Sequence, residues 1–84
     1  MNMKFYVYML ISIDKKNTSY VGYTNNVKKR LLLHNSGKGA KFTRGRKWRL
    51  LYKEILSSKN EAISREYYIK KNRILRNYIK NKYK

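Results

Sequence analysis

The segment from Phe5 to Ile11 limits the fold more than any other, because it is apolar on both sides of a strand. Phe5, Val7, Met9 and Ile11 alternate with Tyr6, Tyr8 and Leu10, and aromatic and β-branched residues favour extended backbone. Successive side chains of a strand point to opposite faces, so neither face here can be given to water. Such a strand belongs inside a sheet, with a neighbour on each edge. The chain has no proline and no cysteine, so neither disulfides nor a thiolate metal site can hold it together. Its 84 residues are expected to form one domain spanning 1–84, burying about 60–65% of the unfolded surface and leaving a thin stability margin.

Asp14-Lys15-Lys16-Asn17 is a turn cluster, and Thr18 to Tyr23 is again rich in strand formers, so a hairpin is expected. Tyr20 and Gly22 share a face of the second strand, where the glycine would let a backbone or ligand approach closely. Thr24-Asn25 supplies N-cap candidates for a helix over about 26–35, with Val27 and Leu31 toward the core. Arg30 and His34, four residues apart, share one face of it. Gly37 stands where a helix-ending glycine is expected and begins a basic loop through Arg46. Trp48 to Leu56 reads as a third strand, with Trp48, Leu50, Tyr52 and Leu56 on one face and Leu51 and Ile55 on the other. Ser58 and Glu61 form a capping box for a helix to about Asn72, whose apolar stripe is Ala62, Ile63, Tyr67, Ile69 and Ile74. Helical spacing resumes from Arg73 through Ile74, Leu75, Tyr78 and Ile79, ending in a frayed basic tail. The order β-β-α-β-α-α predicts an α+β fold, a small three-stranded antiparallel sheet with flanking helices.

Lys and Arg number 22 against 4 Asp and Glu, a net charge of +18. An AT-rich genome would explain the lysines but not the shortage of acids. The field repels cations and attracts a polyanion, so nucleic acid is the expected partner, held with an affinity that falls steeply with salt. Lys29 and the loop cations Lys38, Lys41, Arg44 and Arg46 are the expected phosphate grips, with Phe42 available to stack on a base. The 42% hydrophobic and 14% aromatic content suffices for a core, which argues against disorder. No stretch approaches the roughly 18 apolar residues of a membrane span, and no leader is evident, so a soluble cytoplasmic protein is expected.

Little in the chain can do covalent chemistry. There is no thiol, no carboxylate pair close in sequence, no second histidine for a zinc site and no glycine-rich nucleotide loop. Tyrosines, cations, one histidine and Glu66 remain. That set suits phosphodiester hydrolysis with a single metal: a carboxylate holds the ion, a base takes a proton from water, and an arginine neutralises developing charge.

Tyr6-Val7-Tyr8 and Tyr20-Val21-Gly22 resemble the two signature tripeptides of the GIY-YIG nuclease domain, followed in the same order by Arg30, His34-Asn35, the Gly37–Lys41 loop and an Ala62-x-x-x-Glu66 helix. The likeness covers about residues 4–72 and is greatest to small stand-alone bacterial members and the nuclease half of structure-selective endonucleases. It implies an endonuclease acting on DNA, branched, flapped or single-stranded, in repair or recombination, with Mg2+ or Mn2+ as cofactor. On this likeness Tyr8 and Tyr20 line the site, one of them as general base or positioning the attacking water. Arg30 matches the arginine on the scissile phosphate, His34 a histidine that relays a proton or orients the tyrosine, and Glu66 the sole protein ligand of the metal. Two departures leave the base open: Tyr6 stands where the motif has glycine, and Tyr23 where some members carry lysine. A monomer is expected, on DNA rather than RNA, with a protein partner supplying specificity. The rival reading is a non-catalytic basic DNA- or RNA-binding module on the same fold.

Overall fold

The computed structural model describes residues 4–14 and 16–84, so the Lys15 position of the expected turn lies outside the described residues. Three strands, β1 (Phe5–Ser12), β2 (Ser19–Thr24) and β3 (Trp48–Leu56), form one sheet in the order β2-β1-β3. Both pairings are antiparallel. The two-sided apolar segment is therefore the central strand, buried from Val7 to Ser12. Helices α1 (Val27–Asn35), α2 (Lys59–Lys71) and α3 (Arg73–Tyr83) complete the α+β order β-β-α-β-α-α.

Each face of β1 acquires its own cover. Val7, Met9 and Ile11, with Val21 and Leu51, pack on Ala62 and Ile69 of α2 and Ile79 of α3. Tyr8 and Leu10 pack with Trp48 on the opposite face, joined by Tyr20, Leu31 and Leu50. The sheet is thus sandwiched between α1 and the α2–α3 pair, which suits a chain with neither disulfide nor cysteine-bound metal.

The caps follow side-chain chemistry. Asn26, rather than Thr24 or Asn25, is the N-cap of α1: its Oδ1 accepts from Lys29 N at 3.0 Å, while Thr24 Oγ1 accepts from Asn26 N at 3.1 Å. Beyond α1, Gly37 at φ +81° allows the N–H groups of Gly37 and Lys38 to reach the carbonyls of His34 and Leu33, a Schellman ending. Ser58 Oγ caps α2 by accepting from Glu61 N, and Glu61 returns its carboxylate to the Ser57 and Ser58 hydroxyls. Asn72 both ends α2 and caps α3 through Leu75 N at 2.9 Å.

Three expectations fail. A β-bulge in β3 breaks the alternation: Met9 faces Tyr52 but Leu10 faces Leu50, leaving Leu51 extra. Tyr52 and Leu56 consequently join Leu51 on the α2–α3 face instead of Trp48 and Leu50. The supposed stripe of α2 also shrinks to Ala62 and Ile69, since Ile63, Tyr67 and Ile74 are exposed. Residues 73–83 form the helix their spacing predicts, anchored by Ile79, but it stays regular to Tyr83 where a frayed end is expected. No helix among the described residues is long and apolar enough to cross a membrane.

Candidate active site

Tyr8 points from the middle of β1 toward α1, and its ring occupies the space left by Gly22, its direct cross-strand partner. A Cβ on Gly22 would stand 2.5 Å from Tyr8 Oη and 2.7 Å from Cζ. Glycine is therefore required here for packing, not for an unusual backbone angle. Tyr20 sits on the same face two residues before Gly22, its ring centroid 6.5 Å from that of Tyr8.

The Tyr8 hydroxyl lies 2.9 Å from His34 Nε2, and His34 is wholly buried (0% exposed). On the other side of the imidazole, Nδ1 is 2.8 Å from Thr43 Oγ1. Thr43 donates its single hydroxyl proton to the Ala40 carbonyl at 3.0 Å and accepts from Ala40 N at 3.3 Å. Its oxygen can then only accept from histidine, which assigns the proton to Nδ1 and leaves Nε2 as acceptor for the Tyr8 O–H. Gly39 closes the remaining side, since a Cβ there would overlap the His34 ring. Burial, reinforced by Arg30, lowers the His34 pKa, so the imidazole is neutral at pH 7. Burial also pushes Tyr8 up to about 12, against the opposing pull of Arg30, so Tyr8 rests as a phenol.

Arg30 and His34 do share a face of α1, and both bear on Tyr8. Arg30 Nε is buried with no hydrogen-bond partner among the described residues. A buried donor of that kind is normally satisfied, so its freedom beside a cleft points to an anionic ligand. The cleft, of about 270 Å³, is lined by Tyr8, Tyr20, Gly22, Tyr23, Thr24, Arg30 and Glu66. It opens at the β2 edge of the sheet, where α2 also packs.

Glu66 is brought there by its neighbour. Arg65 grips Glu54 of β3 with Nε and Nη2 at 2.8 and 2.9 Å, and Tyr52 donates its hydroxyl to Glu54 at 2.6 Å. One residue is about 100° of helix, so with Arg65 fixed toward β3, Glu66 turns toward β2. The sequence reading gave Glu54 no role, because its partner lies eleven residues away on another element. Glu66 also forms the i,i+4 pair with Lys70, Nζ to Oε2 at 3.7 Å, and Lys70 lies 5.7 Å from the Tyr20 ring centroid. Lys70, Thr43 and Gly39 support the cleft residues Glu66 and His34, a role the sequence did not assign to them. Of these Lys70 is legible as the i,i+4 partner of Glu66 and Gly39 as the second glycine of the Gly37–Lys41 loop, while Thr43 left no trace.

Asn35 is structural: its amide accepts from Trp48 N at 2.6 Å and donates to Trp48 O at 3.0 Å, tying the end of α1 to β3. Of the expected phosphate grips, Lys38, Lys41 and Arg44 are exposed on the loop, whose Phe42 stacks on Tyr20 at 6.1 Å and 23°. Lys29 is exposed beside Arg30 in an adjoining depression with Asn25 and Asn26. Arg46 is half-buried and helps to lower the pKa of Asp14, after the Ser12 hydroxyl as the main cause. That charge is directed to the β1–β2 turn rather than to the cleft.

The chain has recognisable relatives. Residues 4–84 match the family described as the GIY-YIG catalytic domain. The UPF0213 protein CPE1444 of Clostridium perfringens is 54% identical over 67 residues, covering 79% of this chain and 70% of that one. The UPF0213 protein SH2523 of Staphylococcus haemolyticus is 52% identical over 68 residues, 80% of each chain. The solution structure of the UPF0213 protein BH0048 from Bacillus halodurans superposes with a TM-score of 0.55 at 40% identity, covering 96% of this chain and 87% of the other. With the β-β-α-β-α-α order and the placement of both tripeptides around one cleft, the chain belongs to the GIY-YIG catalytic domain family.

Proposed function

We propose that the protein is a metal-dependent endonuclease that hydrolyses DNA phosphodiesters in the cleft between Tyr8, Tyr20, Arg30 and Glu66. The observation that carries this reading is the buried Arg30 Nε, without a partner among the described residues, on a cleft it shares with Tyr8. A guanidinium so placed binds a phosphate and stabilises the charge that grows on it during attack.

The residues present fit a divalent ion. Glu66 is the acid lining the cleft, and among the described residues its carboxylate has only the 3.7 Å contact with Lys70, leaving lone pairs for a hard cation that keeps several waters. Once bound, Mg2+ or Mn2+ would polarise a phosphate oxygen. The chain's own contribution is the proton path. Water approaching the phosphorus passes a proton to the Tyr8 oxygen while the phenol's proton moves to the neutral Nε2 of His34. A free phenolate, disfavoured by a pKa of about 12, is thereby avoided. Water oxygen bonds to phosphorus, the bond to the leaving sugar oxygen breaks, and that oxygen takes a proton from solvent water. The hydroxide so formed is neutralised by the His34 proton returned through Tyr8, and Arg30 balances the charge on the phosphate. Thr43 keeps His34 in the accepting tautomer, so His34 and Thr43 act through Tyr8. Tyr8 is the base in this scheme, and Tyr20 shapes the wall of the cleft.

The reading extends to branched, flapped or single-stranded DNA in repair or recombination, cut by a cytoplasmic monomer with a partner supplying specificity. A cleft at a sheet edge on a chain of charge +18 supports a broad substrate approach. The test is a nicking panel over substrate shapes, DNA and RNA, with and without Mg2+ or Mn2+. Glu66→Ala is expected to abolish metal-dependent cleavage while binding stays nearly intact. If the unmutated protein cuts no substrate in manganese, only a binding module on the same fold remains.

A further inference from the structure

Four apolar side chains stand in water along the outer side of α2 and the start of α3: Ile63 (41% exposed), Tyr67 (58%), Tyr68 (52%) and Ile74 (84%). Cations are interleaved with them, and Lys71 Nζ lies 4.5 Å from the Tyr67 ring centroid. The break at Asn72, with φ −107° and ψ 90°, opens a groove of about 490 Å³ lined by Tyr67, Tyr68, Lys71, Asn72, Arg73 and Ile74. At about 100° per residue, Ile63, Lys70 and Tyr67 lie on the Glu66 side of α2. A strand leaving the cleft past Glu66 and Lys70 meets Tyr67 next.

Exposed apolar surface on this scale marks a partner, and the charge identifies its kind. Two copies of a +18 chain meeting here would set Lys71 and Arg73 against themselves. A polyanion that also presents π faces satisfies both the cations and the aromatics. Duplex nucleic acid keeps its bases stacked inside, whereas a single strand exposes them. We propose that the α2–α3 groove binds unpaired bases of single-stranded nucleic acid, with Tyr67 as stacking platform and Lys71 and Arg73 holding the flanking phosphates. The inference rests on the cleft being a phosphodiester site, since the groove then receives the strand that leaves it.

Binding of the full chain to a 2-aminopurine-labelled single strand and to a duplex of the same sequence, without divalent metal, tests the groove. Tyr67→Ala truncates a side chain outside the core, and Tyr67→Phe preserves the π face. Tyr67→Ala is expected to weaken single-strand binding roughly 10-fold and to abolish the 2-aminopurine quench, with duplex affinity changed by less than about twofold; Tyr67→Phe restores both. Equal weakening on both ligands, or none on the single strand, overturns the proposal. So does a dimer in sedimentation that Tyr67→Ala dissolves, which would give the groove to a second copy. Binding of the expected pattern by a protein that cuts nothing refutes the nuclease reading and leaves the groove intact; cleavage without single-strand discrimination does the reverse.

Discussion

Acidification is expected to destabilise the fold through one residue. His34 is the only histidine in the chain, it is completely buried, and both ring nitrogens are committed, Nδ1–H to Thr43 and Nε2 to the Tyr8 O–H. Protonating Nε2 would set a second N–H against a phenol proton and place a cation beside Arg30, so folding lowers the histidine pKa. The folded protein then binds fewer protons than the unfolded chain once pH falls below the ordinary value of about 6.5. Stability is complete above that value and is lost as pH falls through the depressed one. Below the ordinary value stability declines as pH falls, by at most about 1.4 kcal/mol per pH unit, the cost of one proton bound only in the unfolded state. Ordinary carboxylates titrate below this window and tyrosines and lysines above it, so the step is isolated. Urea denaturation at closely spaced pH values measures it, with His34→Gln as the control in which the step disappears. A stability flat between about pH 7 and 5.5, or the same slope in His34→Gln, would refute the neutral, doubly bonded histidine.

Other perturbations test the same cluster. Thr43→Val keeps the shape but strands the Nδ1–H in a fully buried place, so a loss of about 1–3 kcal/mol is expected. Thr43→Ser should recover most of it, and imidazole nitrogen chemical shifts will show whether the tautomer follows. Gly22→Ala forces the Tyr8 ring aside and should cost about 1–3 kcal/mol by overpacking, read as a lower denaturation midpoint, and should cut nicking further than the stability loss explains. For Arg30→Ala, cleavage is expected to fall about 10²–10³-fold with little change in affinity, because the remaining cations dominate binding. A parallel fall in affinity would make Arg30 a docking residue.

Much of this arrangement was legible in the chain because it depends on local rules. The two-sided apolarity of Phe5–Ile11 implies a central strand whatever its neighbours are, and the Tyr20–Gly22 spacing puts both residues on one face in any strand. The i,i+4 spacing of Arg30 and His34 likewise needs only a helix. Local rules fail where a distant partner decides. The bulge at Leu51 is set by how β3 must register with β1, and it carries Tyr52 and Leu56 across the sheet despite their even spacing from Trp48. Ile63, Tyr67 and Ile74 have helical spacing like a core stripe, yet α2 packs with Ala62 and Ile69 against the sheet, the orientation in which Arg65 also pairs with Glu54.

By itself, then, the sequence determined the element order, the central strand, the basic character and the residue types able to handle a phosphate, since periodicity and charge are properties of the chain. Tertiary structure decided what those residues can do. His34 became a buried acceptor only because Thr43 and Gly39 close around it, and Arg30 Nε a buried donor without a partner among the described residues only because none of them packs an acceptor against it. Protonation state and unmet hydrogen bonds depend on burial and on partners distant in sequence, and folding alone brings those into contact.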